Sequence, residues 1–189
     1  MSRLAIAALC WAACLGASPA ISPEKSHSAK EKLEQIAEGK LKPGTALVLS
    51  EDEINSYLRY DYASEIPAGI SEPHISLEPD RVRGSAVVDF LEWGSETGAA
   101  PGPLLSWMLR GKRPVEAVCH YASSDGYGQV DVESVKIGGV SLSAAAITFL
   151  IDNLVTPRFP GAVVGRRAPL GFHLRQVRIE QGRAVFVAR

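Results

Sequence analysis

Few side chains in this sequence have the types and spacing that catalysis or metal binding needs. The chain has no Gly-x-Ser-x-Gly, P-loop, His-Glu-x-x-His or Cys-x-x-Cys motif. Its histidines lie in separate segments without the spacing of metal ligands. We therefore interpret them as surface or hydrogen-bonded side chains, and we predict no metal and no other cofactor. The histidines are His27, His74, His120 and His173.

Two groups of reactive side chains remain, and both fall on predicted strands. Cys119 and His120 are neighbours, so on a strand they point to opposite faces and cannot form a thiol–imidazole pair. Asp131 and Glu133 share a strand face, where two carboxylates could serve as acid and base. A solvated strand face explains the same pair more simply. The sequence favours a protein that is not an enzyme, and a hydrolase using Asp131, Glu133 or His120 stays an alternative.

The apolar segment after the Gly138-Gly139 turn is the most informative part of the chain. Residues 142–155 predict a helix that is apolar on nearly every side, and residues 103–109 predict a second, shorter one. A single sheet cannot cover such helices completely, so we expect the rest of their surface to meet either more protein or an amphiphile. The candidate ligand-binding side chains are Leu104, Leu105, Trp107, Met108, Ile147, Phe149, Leu150 and Ile151.

Arginines stand beside these apolar segments. Arg158, Arg166 and Arg167 lie among apolar residues in the long segment 156–172. Guanidinium groups pair well with phosphate and carboxylate, so the three arginines are candidate contacts for an anionic headgroup, with a membrane surface as a further partner. The alternative is a surface loop whose charges face water.

The first twenty residues have the pattern of a secretory signal. Arg3 precedes an apolar run over residues 4–16, and the small residues before position 21 fit cleavage after Ala20. A retained anchor and a lipid on Cys14 are the alternatives, and Trp11 fits a lipoprotein motif poorly. We expect an exported protein in the periplasm or cell envelope, in which Cys119 has no internal disulfide partner.

The charge distribution bears on possible partners. Residues 21–100 carry eight basic and fifteen acidic side chains, whereas residues 101–189 carry eleven basic and six acidic ones. An acidic half and export both argue against nucleic acid as a partner. The sequence does not identify a protein partner.

The elements that would position these residues make one α+β domain over residues 21–189. Capping boxes at Ser28 and Ser50 begin two short helices, the second of them with Glu53 at its third position. Alternation of apolar and polar residues predicts antiparallel hairpins around residues 75–90, 115–134 and 173–189. We expect a strongly curved antiparallel β-sheet wrapped around the apolar helix, with short N-terminal helices.

Two stretches resemble a known family. "LSEDEINSYL" at residues 49–58 and "VKIGGVSLSAAAITFLIDNL" at residues 135–154 are similar to bacterial envelope proteins of the LmeA, YpmS and YceB kind. The shared residues are Ser50, Glu53 and Asn55, together with the Gly138-Gly139 turn and the helix after it. The resemblance implies a curved antiparallel sheet that holds a helix and binds phospholipid without catalysis. It implies no particular ligand residues, and the Gly/Pro-rich stretch 95–103 departs from the pattern.

Residues and resemblance lead to the same expectation. The chain is predicted to be an exported, non-enzymatic protein that binds phospholipid or another amphiphile in an apolar groove between sheet and helices. The alternative is a cell-envelope scaffold or protein-interaction module with a dry core, because an apolar helix that is fully packed needs no ligand.

Overall fold

The computed structural model describes residues 21–94, 110–156 and 164–189 and has a mixed α+β fold with antiparallel sheets. Its helices are α1 (Pro23–Ala37), α2 (Glu51–Tyr60), α3 (Phe90–Gly94) and α4 (Ala144–Leu150), with a 3₁₀ turn at Ala63–Glu65 and a π-helical turn at Ile151–Val155. Its strands are β1 (Ala46–Ser50), β2 (Ile70–Glu78), β3 (Arg81–Asp89), β4 (Lys112–Ser124), β5 (Tyr127–Ile137), β6 (Val140–Ser141), β7 (Ala168–Pro169), β8 (Leu174–Glu180) and β9 (Arg183–Ala188).

Several predictions fall outside the described residues. These are the signal peptide with Cys14, the helix at residues 103–109, the stretch 95–103 and Arg158. Within the part of the chain that is described, no helix is long and apolar enough to cross a membrane.

The two N-terminal helices begin at different kinds of signal. The predicted capping box at Ser50 is confirmed: its hydroxyl accepts a hydrogen bond from the amide of Glu53 (3.2 Å), and the Glu53 carboxylate accepts one from the amide of Ser50 (2.8 Å). The predicted helix start at Ser28 is wrong, because α1 is already capped by Ser22 with Pro23 in its first turn. Ser28 instead donates to Glu53 across the α1–α2 interface (2.7 Å).

The larger sheet has the strand order β2-β3-β4-β5-β6, and β7 also pairs with β5. Its polar face carries ion pairs, including Arg83 with Glu116 (3.1 Å) and Arg81 with Glu133 (2.9 Å). The register places apolar side chains together on the other face, here called the apolar face. The prediction of hairpins with one wet face is confirmed by this arrangement.

A β-bulge keeps β5 in register with this apolar face. Ser134 pairs with Val118, but the next pair joins Val132 to Cys119, so Glu133 is the extra residue. Without it, the apolar residues on one side of the bulge would turn to the wet face. The alternation predicted along this strand therefore ends at Val132, and Ser134 lies on the polar face and not with Val130 and Val132.

The smaller sheet, β1-β9-β8, packs on one end of the apolar face. The amide of Val177 on β8 donates to the Ser123 hydroxyl on β4 (2.9 Å), and the amide of Asp80 donates to the carbonyl of Ile179 (3.0 Å). The first buried cluster forms here. Its members are Ile36, Leu77, Leu174, Val177, Ile179 and Ala184, with Ile75, Val82 and Tyr121 among the partly buried residues against it.

The apolar helix packs at the opposite end of the same face, in a second cluster. Leu150 is buried there, Ile147, Phe149 and Ile151 are half-buried, and the first turn of α4 is exposed. The buried members are Val88, Phe90, Ile137 and Leu150, with Ile70, Ala86, Val115, Val135, Leu142 and Phe149 packed against them. A helix at the predicted place and the α+β class are confirmed, and a sheet curved around that helix stays a prediction.

Candidate functional site

A strip of the apolar face belongs to neither cluster. It contains one residue on β3, which is Gly84, and two residues on each of β4 and β5, so it is narrowest at β3. All of these residues are half-buried. We call this strip the trough, and its members are Gly84, Ala117, Cys119, Val130 and Val132.

Small side chains form the part of the trough on β3 and β4. Gly84 lies opposite Ala117, and Cys119 follows on the same face, whereas the flanking positions carry larger residues such as Val115 and Tyr121. A side-chain carbon added at Gly84 would meet the Cδ1 of Ile75 at 3.7 Å, so the Ile75 side chain lies beside this glycine. The trough therefore has small side chains on β3 and β4 between the α4 cluster and the β8 cluster.

Among the described residues, the trough is open at the β5 edge. The amide of Leu142 donates to the carbonyl of Val135 (2.9 Å), and the amide of Gly165 donates to the carbonyl of Val130 (2.8 Å). Between these two points, residues 131–134 pair with β4 on one side and, among the described residues, with no strand on the other. Arg166 directly follows Gly165, so this arginine lies at the rim of the opening.

At the opposite edge of the sheet, α2 covers β2 with two side chains. The amide group of Asn55 bonds both the backbone N–H (2.8 Å) and the carbonyl (2.7 Å) of Ile75, and the Glu51 carboxylate accepts from the amide of Leu77 (2.7 Å). These side chains occupy positions where a further strand would bind. The sheet is therefore closed on this side.

The floor of the trough carries no charge. Burial raises the pKa of the Cys119 thiol, and the negative charge of Glu133 raises it further, so the neutral form of the thiol is favoured. Burial likewise raises the pKa of the neighbouring Tyr121, against a smaller opposing effect of its bond with Ser123. A neutral thiol behaves as a small apolar side chain, so the trough fits an apolar molecule rather than a reacting one.

The residues of the hydrolase alternative share the polar face, and Cys119 does not lie with them. Cys119 lies on the apolar face opposite Val132, whereas His120 lies on the other face opposite Asp131. The Glu133 carboxylate forms an ion pair with Arg81, and the Asp131 carboxylate accepts hydrogen bonds from the Gln129 amide group (2.9 and 3.0 Å). Among the residues described, no group of three His, Cys, Asp or Glu side chains could hold a metal ion.

The predicted ligand-binding residues are brought together only in part. α4 with Leu150 and Phe149 borders the trough, and Arg166 lies at its opening. Arg167 lies farther along, with its guanidinium 5.3 Å from the Tyr127 ring and bonded to the Ser124 hydroxyl (3.2 Å). The side chains of Leu104, Leu105, Trp107, Met108 and Arg158 lie outside the described residues.

The trough residues themselves are absent from the predicted site. The feature that could have identified them is the group of small residues on paired strands, which are Gly84, Ala117 and Cys119. This group can be seen only once the register of the strands is known.

No protein-family model matches this chain, and no curated protein is significantly similar to it. The resemblance to envelope lipid-binding proteins therefore stays a prediction.

Proposed function

We propose that this protein binds a phospholipid or another amphiphile in the trough and catalyses no reaction. One observation carries the proposal: the apolar face is continuous, but its buried residues form two separate clusters with a half-buried, neutral strip between them. A half-buried apolar strip leaves surface that an apolar ligand can cover, and its burial would be favourable by roughly 25 cal/mol per Å².

The dimensions of the trough suit an acyl chain. Two strand spacings separate β3 from the β5 edge, or about 10 Å, which is most of the roughly 15 Å that acyl chains occupy in one membrane leaflet. The chain would lie across the strands, and the polar end would leave the sheet between Leu142 and Gly165. Arg166 at this rim is then the headgroup contact. Arg167, which Tyr127 and Ser124 hold, contributes less.

α4 would cover the bound chain. Phe149 packs against the second cluster, and Ile147, Phe149 and Ile151 are half-buried, so they have apolar area left to contact a ligand. The π-helical turn that follows α4 is a form of helix that occurs often at functional sites. In this proposal the sheet closes around α4 when a ligand is bound. The predicted curved sheet that holds a helix would then be the ligand-bound form.

A variant that fills the trough tests the proposal. Ala117→Leu places a larger side chain on the floor, so uptake of a fluorescent fatty acid should fall by at least tenfold. The matched control is Ala122→Leu, because Ala122 is exposed on the other face of the same strand. Circular dichroism would show that both variants are folded. Equal uptake by both variants and the wild type contradicts the proposal and favours the scaffold with a dry core.

A second variant tests the headgroup contact. Arg166→Ala should weaken binding of an anionic amphiphile more than that of a neutral one of equal chain length, because it removes a charge at the rim and leaves the apolar floor intact. Equal loss for both amphiphiles would remove Arg166 from the site and leave the trough itself unaffected.

A further inference from the structure

The far end of the β4–β5 hairpin forms a second surface, distinct from the trough. Here the amide of Gly126 donates to the carbonyl of Arg175 (2.7 Å), and the amide of Arg189 donates to the carbonyl of His173 (2.7 Å). A hollow of about 340 Å³ at this end is lined in part by Arg189. We call this surface the tip, and its members are Tyr127, Arg167, Phe172, Arg175 and Arg189.

Two aromatic side chains of the tip are exposed. Phe172 is 57% exposed and Tyr127 is 45% exposed. Phe172 also has a positive φ of 46°, between Gly171 at 72° and His173 at 53°. Left-handed backbone is unfavourable for phenylalanine and persists where the surrounding structure fixes it. The fold thus holds a large apolar side chain in solvent at a defined place.

The arginines of the tip differ in pairing from several other arginines of the described chain. Arg83 on the polar sheet face pairs with Glu116 (3.1 Å), and Arg183 on β9 pairs with Glu180 (2.7 Å). Within the described residues, the three arginines of the tip have no carboxylate in ion-pair distance. Arg167 bonds the Ser124 hydroxyl and lies over the Tyr127 ring, and Arg189 bonds the carbonyl of Asp125.

We infer that the tip binds the surface of a membrane that contains anionic lipids. Unpaired arginines attract the phosphates of such a surface, and exposed aromatic rings are stable at the depth of the headgroups. An acidic protein would match the arginines, but two solvent-exposed aromatic side chains beside them fit the interface of a bilayer better. The inference does not require that the trough hold a ligand.

Vesicle sedimentation tests this inference. The wild type should bind vesicles of phosphatidylcholine with phosphatidylglycerol and bind much less to phosphatidylcholine alone, and added salt should weaken the binding. Arg175→Ala and Arg189→Ala should each lower the affinity for anionic vesicles about fivefold. Phe172→Ser should lower it about tenfold. All proteins share the same N-terminus, so differences between them come from the tip.

Two control variants separate the tip from general surface effects. Leu91 is 67% exposed and lies at the opposite end of the sheet, so Leu91→Ser should bind as the wild type does. Arg183 is paired with Glu180, so Arg183→Ala should also be unchanged. The inference is overturned if the control variants lose as much binding as the tip variants do. It is also overturned if the wild type binds equally well to vesicles with and without the anionic lipid.

A separate readout distinguishes failure of the tip from failure of the trough. Tip variants should take up the fluorescent fatty acid as well as the wild type does, whereas Ala117→Leu should still sediment with anionic vesicles. Retained vesicle binding by all tip variants, or binding to an acidic protein without any binding to vesicles, would contradict the membrane role only.

Discussion

At the scale of single residues, Glu53 connects the two N-terminal helices. Its carboxylate accepts hydrogen bonds from Lys32 (2.6 Å), Ser28 (2.7 Å) and the amide of Ser50 (2.8 Å), and its side chain is only 12% exposed. Burial alone would raise the pKa of Glu53, but the bonds from Lys32, Ser50 and Ser28 outweigh it and hold the pKa at about 2. Folding therefore favours the ionised form.

This pKa predicts how stability depends on pH. Because the pKa of Glu53 is lower in the folded state than its ordinary value of 4.5, its contribution is complete above about pH 4.5 and is lost as the pH falls toward 2. Glu53→Gln, which can keep the bond with the Ser50 amide, should lower the free energy of unfolding by about 2 kcal/mol at pH 7. Urea denaturation at several pH values measures this.

The control for this prediction lies on α1. Glu31 is exposed and pairs only with His27 on the same helix, so Glu31→Gln should change the free energy of unfolding little at any pH. A Glu53→Gln effect that is as large at pH 2 as at pH 7 would show that the variant acts through packing and not through charge.

Single residues also mark the limit of local sequence signals. The capping box at Ser50 and Glu53 could be predicted because both partners lie within one helical turn. The equally plausible box at Ser28 fails, because that hydroxyl serves a tertiary contact with Glu53 and Ser22 caps α1 instead. A local pattern identifies a possible cap, and packing decides which of two possible caps is used.

At the scale of elements, α4 is attached to the sheet through few buried contacts. Leu150 is 9% exposed and belongs to the second cluster, whereas Ala144 and Ala145 are exposed. An apolar helix with so much surface in contact with water is unusual unless a ligand or partner covers it. Its attachment should therefore be weaker than that of the strands below it.

A truncation of the buried contact tests this attachment. Leu150→Ala should lower the free energy of unfolding by about 2 kcal/mol and speed amide hydrogen exchange in residues 144–155 more than in β3 and β4. Thr148→Ala is the control, since Thr148 is exposed and bonds only the carbonyl of Ala144. Exchange that rises uniformly through the sheet would contradict a separately attached α4.

The trough shows why elements were easier to predict than the site. Alternation along each strand indicates which residues share a face, and β3 and β4 follow it. The trough depends in addition on which residues stand side by side on three strands, and the bulge at Glu133 shifts that register within β5. Likewise β2 begins at Ile70, because a bulge after Ser71 lets the strand include Pro73, which by sequence indicates a loop.

At the scale of the whole molecule, the two proposed surfaces adjoin. Gly165 lies at the opening of the trough, and Arg167, two residues later, belongs to the tip. A molecule that rests on a membrane through the tip would therefore hold the opening close to the lipid headgroups. The excess of basic residues in the second half of the chain is consistent with this arrangement, because all three tip arginines belong to that half.

The central claim is that the trough holds an amphiphile, and native mass spectrometry of protein purified without detergent tests it most directly. We expect an added mass close to one phospholipid or fatty acid per chain, which solvent extraction would release and identify. A protein without bound lipid that also takes up none from vesicles would contradict the claim, and the strip between the two clusters would then be part of a dry core.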